Sequence, residues 1–230
     1  MKNLIFALCI AALFSFAGCN KENPDPKEFI FDFQTDAEGW TGDFADYPND
    51  PGVEDFYGFA FVHSTLPAPL DITRGALMQS GNNHSDDLFM FIKKKLTGLE
   101  PDKIYTVDFE VEIATNAASG MIGVGGAPGE AVVIKAGASA KEPVKELDDN
   151  YYRMNIDKGT QSIGGENVVV IGDFANGTEE NVYVLKTLKT TNPVTVSSDS
   201  NGEIWIIIGT DSGFEATTTI YYNTVKVTLN

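Results

Sequence analysis

Alternation of apolar and polar residues is the feature that most limits how this chain can fold. From Tyr105 to Ile113 every second residue is apolar, and the residues between them are threonine or acidic. Val225 to Leu229 repeats the pattern with lysine and threonine. A period of two is typical of an antiparallel strand with one buried and one wet face. No long segment has the 3.6-residue apolar period of a surface helix, so the chain is predicted to be all-β.

Short apolar runs separated by turn residues indicate many strands in one domain. Ile204 to Ile208 is apolar on both faces and is predicted to be a central strand. Ten or more strands with frequent Gly, Asn, Asp and Pro clusters favour an antiparallel β-sandwich. Ala138 to Asn150 is predicted to form a short helical turn or an exposed loop. Further strands are predicted near Phe29–Phe33, Phe56–Val62, Leu88–Ile92, Met121–Val124, Ala131–Ala136, Val168–Ile171 and Val182–Leu185.

The first residues indicate export. Lys2 precedes an apolar run, Leu4 to Phe16, that is shorter than the roughly 20 residues needed to span a bilayer. Ala17-Gly18-Cys19 resembles the end of a bacterial lipobox, although Phe16 stands where leucine is usual. Residues 1–18 are therefore predicted to be a lipoprotein signal peptide, with a lipid on Cys19. The alternative is an ordinary cleaved signal that leaves Cys19 as a free thiol.

A polar tether and a single domain are predicted to follow. Asn20 to Glu28 contains two prolines and no apolar side chain of the core type, so residues 19–28 are assigned to the lipidated cysteine and a solvated tether. Residues 29–230 are assigned to one β-sandwich domain. Asn20, in place of an aspartate after the cysteine, predicts the outer membrane, facing either the periplasm or the cell surface. The membrane would then be a partner through the lipid.

Cysteine and charge content narrow the possible functions. Cys9 lies in the predicted signal peptide, so the mature domain has no intramolecular disulfide and must be held by its core. Without Lys2 the chain has 15 basic and 33 acidic residues, a net charge of −18. Such a field repels phosphate backbones, which argues against nucleic acid as a partner. It is compatible with bound Ca²⁺, or simply with a surface that keeps an exported protein soluble. No pattern requires a cofactor.

Three segments resemble one family of binding modules. "FIFDFQTDAEGW", "KKKLTGLEPDKIYTVDFEVEIAT" and "TTIYYNTVKVTL" are similar to the opening, central and closing strands of carbohydrate-binding modules with the galactose-binding-like jelly-roll fold. The resemblance implies a jelly roll and a glycan ligand. In those modules the closing strand often carries an aspartate tied to a structural calcium, whereas this chain has Asn223. Alternation predicts that Asn223 points inward with Tyr221 and Val225, either as a calcium ligand or as a buried amide with internal hydrogen bonds.

"GNNHSDD", Gly81 to Asp87, is the polar cluster that most resembles a site. It is either a turn before the strand Leu88–Ile92 or a binding loop on a rigid sandwich. On the first interpretation Gly81 and the asparagines adopt positive φ, and Lys93 to Lys95 mark where the strand reaches water or a sheet edge. On the second interpretation this loop meets the loop after Ile204–Ile208, with an aromatic side chain nearby as an apolar face. The predicted ligand-binding residues are Asn83, His84, Asp86, Asp87, Asp211, Glu215, Trp40 and Tyr47.

Two further polar stretches carry mixed donors and acceptors. Gly39 to Pro48 contains several aromatic residues, of which Trp40 follows the first predicted strand closely enough to be core. Tyr151 to Gly165 combines two tyrosines with arginine, asparagine, aspartate and glutamine.

The residue types disfavour catalysis. His84, Ser85 and Asp86 are adjacent in sequence, so they diverge instead of converging as a triad does. There is no Gly-x-Ser-x-Gly elbow, and two histidines do not make a histidine-rich zinc site. A pair of facing carboxylates, as in glycosidases, stays open among 33 acidic residues. The predicted function is a lipid-anchored, non-catalytic binding module for a glycan or another polar small molecule. The alternative is a structural or partner-binding envelope lipoprotein.

We expect Cys19→Ala to leave a precursor that does not acquire lipid, because the sulfur is the acylation point and the mature chain has no other cysteine. Metabolic labelling with a fatty-acid analogue measures this directly. Label on the variant at the level of the wild type would disprove the lipobox interpretation.

Overall fold

The computed structural model describes residues 25–230. The predicted signal peptide, Cys19 and the tether up to residue 24 lie outside the described residues. A single helix, α1 (Val53–Tyr57), accompanies fifteen strands in this range. The strands are β1 (Lys27–Phe31), β2 (Thr41–Ala45), β3 (Tyr47–Pro48), β4 (Ala60–Thr65), β5 (Gly75–Asn82), β6 (Leu88–Leu96), β7 (Ile104–Thr115), β8 (Val132–Ser139), β9 (Lys145–Asp148), β10 (Tyr151–Met154), β11 (Val168–Asp173), β12 (Val184–Lys189), β13 (Val194–Ser197), β14 (Ile204–Ser212) and β15 (Thr217–Leu229).

Two antiparallel sheets form the sandwich. The seven-stranded sheet has the order β12-β7-β15-β5-β4, with β1 paired to β15 and β13 paired to β7. The five-stranded sheet has the order β11-β8-β14-β6-β2, and a small third sheet has the order β3-β10-β9. The prediction of an all-β, antiparallel β-sandwich of the jelly-roll type is confirmed. Within residues 25–230, no helix has the length and apolar character of a membrane-spanning segment.

The core lies between the inner faces of the two large sheets, and the sequence alternation explains it. On β7 the residues Val107, Phe109, Val111 and Ile113 are buried, while the alternate positions are partly exposed. Ile204–Ile208 is confirmed as a central strand: β14 lies between β8 and β6, with apolar neighbours on both faces.

Several predicted elements differ in the structure. Phe56–Val62 was predicted as one strand, but α1 ends at Tyr57 and β4 begins at Ala60. Gly58, with φ 61°, ends the helix in the left-handed conformation that glycine favours. Met121–Val124 forms no strand, since its side chains find no facing sheet and Ile122 is 96% exposed.

The lysines after the predicted strand Leu88–Ile92 do not mark its end. β6 continues to Leu96 between β14 and β2. Lys93 is buried because its ammonium group reaches Glu142 Oε1 at 2.7 Å and the carbonyl of Pro143 at 2.8 Å. Ala138–Asn150, predicted as a helical turn or loop, contains β9, which pairs with β10 as a hairpin.

The segment from Ser139 to Asn167, called here the covering segment, lies over the outer face of the five-stranded sheet. Ile156 and Met154 pack against a second apolar cluster on that face. The sheet contributes Ala45, Phe89, Phe91, Val168 and Ile207 to this cluster. The five-stranded sheet is therefore buried on both sides near its centre.

Asn223 is a buried residue with internal hydrogen bonds, which was one of the two predicted alternatives. A bulge between Tyr222 and Thr224 breaks the alternation, so Tyr222 faces the core in place of Tyr221. The Asn223 amide donates to Glu112 Oε1 and accepts a hydrogen bond from Arg74 Nη2 at 3.3 Å. The donor and the acceptor group of the Asn223 side chain are thus both bonded to other side chains of the protein.

We expect EDTA to leave the melting temperature unchanged, because the Asn223 amide is already bonded to Arg74 and Glu112 and adds no charge for a cation. Differential scanning fluorimetry with and without EDTA measures this. A fall of more than about 10 °C would show a stabilising metal, because tight binding contributes several kcal/mol.

Candidate functional site

Two of the predicted loops emerge at the same end of the sandwich. β5 ends at Asn82 and β6 begins at Leu88, while β14 ends at Ser212 and β15 begins at Thr217. Because β5 neighbours β15 and β6 neighbours β14, the loops 83–87 and 213–216 lie side by side. We call this the loop end.

Asn83 joins these two loops. Its Nδ2 donates to the carbonyls of Ser212 at 2.7 Å and Phe214 at 3.1 Å, and its backbone N–H donates to Ala216. Its Oδ1 accepts from the backbone N–H of Ser85, which makes the turn. Asn83 was predicted to contact a ligand; in the structure it is 2% exposed and its amide is used inside the fold.

Two more loops complete the loop end. Gln161 Nε2 donates to the carbonyl of Asp86 at 2.9 Å, and the backbone N–H of Glu215 donates to Val124 at 2.9 Å. Gly81, predicted to have positive φ, is extended in β5, and Asp86 has φ 59° instead. Asp86 and Glu215 are both exposed, so they remain available to a ligand.

His84 lies on an exposed aromatic surface of the loop end. Its ring stacks on Phe56 with centroids 4.1 Å apart, and it meets the edge of Tyr57 at 5.2 Å. Phe56 is 65% exposed although it is a large apolar side chain. The stack therefore offers a flat face to solvent.

Trp40 and Tyr47, which were predicted as ligand contacts, do not offer such a face in the structure. Trp40 is 2% exposed and packs edge-on against Phe31 and Phe33 in the core. Tyr47 is fully buried against Tyr152, and its hydroxyl accepts from Lys145 Nζ at 2.6 Å. Both side chains stabilise the sandwich instead.

Asp211 is not a loop residue but belongs to a buried charge cluster, defined here as Asp46, Asp87, Lys135, Lys158 and Asp211. Asp211 Oδ2 lies 2.7 Å from Lys135 Nζ and 2.8 Å from Lys158 Nζ. Lys158 Nζ also lies 2.9 Å from Asp46 Oδ2. Asp211 was predicted to contact a ligand; in the structure both Asp211 and Lys135 are fully buried.

The covering segment supplies the other partners of these charges. Lys135 Nζ donates to the carbonyls of Lys158 at 2.9 Å and Ile163 at 3.0 Å. The backbone N–H of Gln161 donates to Asp211 Oδ2 at 3.0 Å. Residues 158–163 thus supply further partners for both Lys135 and Asp211.

Burial and neighbouring charges set the protonation of the cluster. Burial raises the pKa of Asp87 to about 7; Lys158 opposes this, whereas Asp211 and Asp46 add to it. Burial also raises the pKa of Asp46 and lowers that of Lys135. Burial alone would lower the pKa of Lys158, but the carboxylates of Asp211 and Asp46 hold it above the usual value. Asp87 can therefore carry a proton near neutral pH.

A polar cleft of about 180 Å³ opens beside the buried charge cluster. Arg153, 53% exposed at the side chain, stands at its rim with its guanidinium 4.8 Å from the centre of the Tyr151 ring. The cleft is lined by Asp46, Asp87, Arg153, Met154, Ile156, Asp157, Lys158, Gly159 and Thr160. Of the predicted site residues, only Asp87 lines it.

The sequence predicts Tyr151–Gly165 as an unusual polar stretch, but it did not identify Asp46, Lys135 or Lys158 as site residues. One signal was available for Lys135: it is the only charge in the apolar run from Ala131 to Ala138. A lysine on a strand that is apolar on both faces needs a buried partner. Its partner, Asp211, follows Ile204–Ile208, where the same reasoning applies. Over residues 25–230, no group of three or more His, Cys, Asp or Glu side chains is placed to hold a metal ion.

Comparisons with known proteins give only distant likenesses. No family model matches the chain, and no curated protein matches it. A solved carbohydrate-binding module described for specific mannan recognition is 10% identical, with a TM-score of 0.41; 90% of this chain aligns with 99% of that one. Another structure of carbohydrate-binding modules from the β-sandwich superfamily is 14% identical, with a TM-score of 0.39 and coverage of 81% and 56%.

An enzyme domain is also among these likenesses. The enzymatically active domain of tailspike protein 4 from bacteriophage CBA120 is 10% identical, with a TM-score of 0.35. The alignment covers 82% of this chain but only 19% of that chain. Likenesses this distant assign no ligand, so function has to be inferred from the residues of this chain.

We expect Asp87→Asn to stabilise the fold at pH 8 relative to the wild type, by about 1 kcal/mol or about 3 °C in melting temperature. The folded-state pKa of Asp87, about 7, is above the unfolded pKa near 4, so protonated Asp87 stabilises the folded state. This contribution to stability is fully present below about pH 4. This stability is lost as the pH rises through 7. Asp86→Asn, at the exposed neighbour, is the control. Thermal unfolding from pH 4 to pH 8 measures the difference, and an equal slope for wild type and Asp87→Asn would refute it.

Proposed function

We propose that this protein is a non-catalytic binding module for a glycan or another polar small molecule, held on the outer membrane by the lipid on Cys19. One observation carries the proposal: hydrogen-bond donors and acceptors converge on the cleft at the loop end. Asp46 and Asp87 supply acceptors there, and Arg153 supplies donors. Binding sites of this kind combine a few placed polar groups with apolar surface.

The rim of the cleft supports a sugar in particular. Arg153 is held at the rim by its contact with the Tyr151 ring, so several N–H donors are fixed there. Sugar hydroxyls can accept hydrogen bonds from these donors. The exposed stack of Phe56 on His84 gives a flat face on the same end of the domain, which suits the C–H face of a sugar.

The position of the chain's start supports display of the cleft away from a membrane. Lys27 pairs with Leu229, whereas the loop end lies where β15 starts at Thr217. β15 has 13 residues, which corresponds to about 40 Å of strand. An anchor before Lys27 would therefore hold the opposite end of the sandwich, at the periplasmic or the outer surface of the membrane.

The charge cluster supports binding more than catalysis. Asp211 Oδ2 already accepts from Lys135, Lys158 and the backbone of Gln161. Asp211 is also fully buried, so its carboxylate is not placed to reach a substrate.

A second candidate function is supported by the apolar side chains of the loop end. Ile122 is 96% exposed, Val124 67% and Ile163 68%, and all three lie on its loops. Exposed apolar side chains grouped in this way are typical of surfaces that contact another protein. On this alternative the chain is a structural or partner-binding lipoprotein of the envelope, without a small-molecule ligand.

A glycan array with the purified protein tests the first function, and we expect binding to at least one neutral sugar class. We expect Arg153→Ala to reduce that binding by at least about tenfold, which is the loss of roughly one charged hydrogen bond. Lys189→Ala is the matched control, because Lys189 is an exposed cation that pairs with Glu110 on the other sheet.

The same preparations separate the two functions. An array that gives no binding, together with an envelope protein whose cross-link is lost in Ile122→Asp, would refute the glycan proposal and support the partner.

A further inference from the structure

The covering segment limits how a ligand can approach the five-stranded sheet. Ile156 and Met154 seal the middle of the outer face against Phe89, Phe91 and Ile207. A long polymer therefore cannot lie flat across the middle of this sheet. The cleft opens at the edge of the covering segment, where Gly159 and Thr160 line it.

The size of the cleft limits the ligand to a small unit. Its volume is about 180 Å³, whereas pockets for drug-sized ligands have about 300–1,000 Å³. This is room for one sugar ring. A ring that fills the cleft leaves no room inside it for the next residue of the same chain.

Asp46 is the group in the cleft that most needs a donor. It is 3% exposed, and its Oδ2 is paired with the Lys158 ammonium at 2.9 Å. Its Oδ1 lies 3.8 Å from Arg153 Nη1, beyond hydrogen-bond distance. A ligand hydroxyl that donates to Oδ1 therefore makes a hydrogen bond that the fold leaves unmade.

The charge around the cleft favours a neutral ligand. Asp157 lines it with a pKa held low by hydrogen bonds from the backbone N–H groups of Glu166 and Gly159, so this carboxylate is ionised. Together with Asp46, it balances the cations Arg153 and Lys158. A uronic acid or a sulfated sugar would meet these carboxylates and the acidic surface of the whole chain, which repels anions.

We infer that the cleft takes the terminal residue of a neutral glycan end-on, with ring hydroxyls donating to Asp46 and accepting from Arg153. This inference rests on the proposed glycan function and narrows it to a chain end. Asp87 lies beside Asp46 in the cleft and contributes an acceptor to the same ring.

Isothermal titration calorimetry with chain-length series tests end-on binding. The probes are glucose, mannose, galactose and their β-1,4-linked oligomers of two to six residues, with polygalacturonate as the anionic comparison. We expect affinity to change by less than about threefold between dimer and hexamer, because only the last residue is held. We also expect one protein per chain end.

Two variants test the residues. Arg153→Gln, at the exposed rim, and Asp46→Asn, which keeps a side chain that tolerates the φ of 61° at this position, should each weaken binding at least about tenfold at every chain length. Lys189→Gln is the control. Arg153→Gln keeps the test valid if Asp46→Asn unfolds, because its side chain is half exposed.

The outcomes separate this inference from the proposed function. Affinity that rises more than tenfold with chain length, or several proteins per hexamer, overturns end-on binding but leaves glycan binding intact. Preference for polygalacturonate overturns the neutral-ligand assignment alone. No binding to any of these sugars overturns the proposed function and this inference together.

Discussion

The ion pair of Lys135 with Asp211 is the constraint around which this end of the protein is arranged. Both side chains are fully buried on the outer face of the five-stranded sheet, where they neutralise each other but need hydrogen-bond partners beyond the pair. Breaking a buried pair of this kind typically costs about 3–5 kcal/mol, because the remaining charge stays in an apolar environment. Lys158 and the carbonyl of Ile163 complete the arrangement from the covering segment. Because these charges must be satisfied, residues 158–163 are fixed above the sheet, and the cleft follows from their position.

The sequence predicted those strands in which the pattern of apolar residues shows by itself which side chains are buried. The alternation from Tyr105 to Ile113 gives β7 directly, and the apolar run Ile204–Ile208 gives the centre of the second sheet. Elements held by distant contacts were not predictable in this way. β6 continues past Ile92 because Glu142, far along the chain, neutralises Lys93. The hairpin of β9 and β10 has no apolar periodicity of its own, since it is held over another sheet by a few side chains.

The candidate site was predictable in place but not in detail. The loops 83–87 and 213–216 must meet because β5 neighbours β15 and β6 neighbours β14. Local composition does not show which polar side chains face inward. Asn83 and Asp86 lie in the same polar stretch of the sequence, yet the Asn83 amide is buried by the fold and the Asp86 carboxylate is exposed. Trp40 and Tyr47 show the same ambiguity for aromatic residues, whose large apolar area is most often buried in a core.

The order of the strands also has a consequence for how the chain acquires this structure. The central strands of both large sheets, β14 and β15, are the last two in the sequence, and the first strand β1 pairs with β15. The five-stranded sheet cannot close before β14 has been synthesised, and the seven-stranded sheet cannot close before β15. Such long-range pairing makes folding slow, because loop-closure entropy is lost before the contacts form. A chain truncated before Ile204 would present unpaired edges on β6, β7 and β8, so premature termination yields an aggregation-prone product instead of a smaller stable domain.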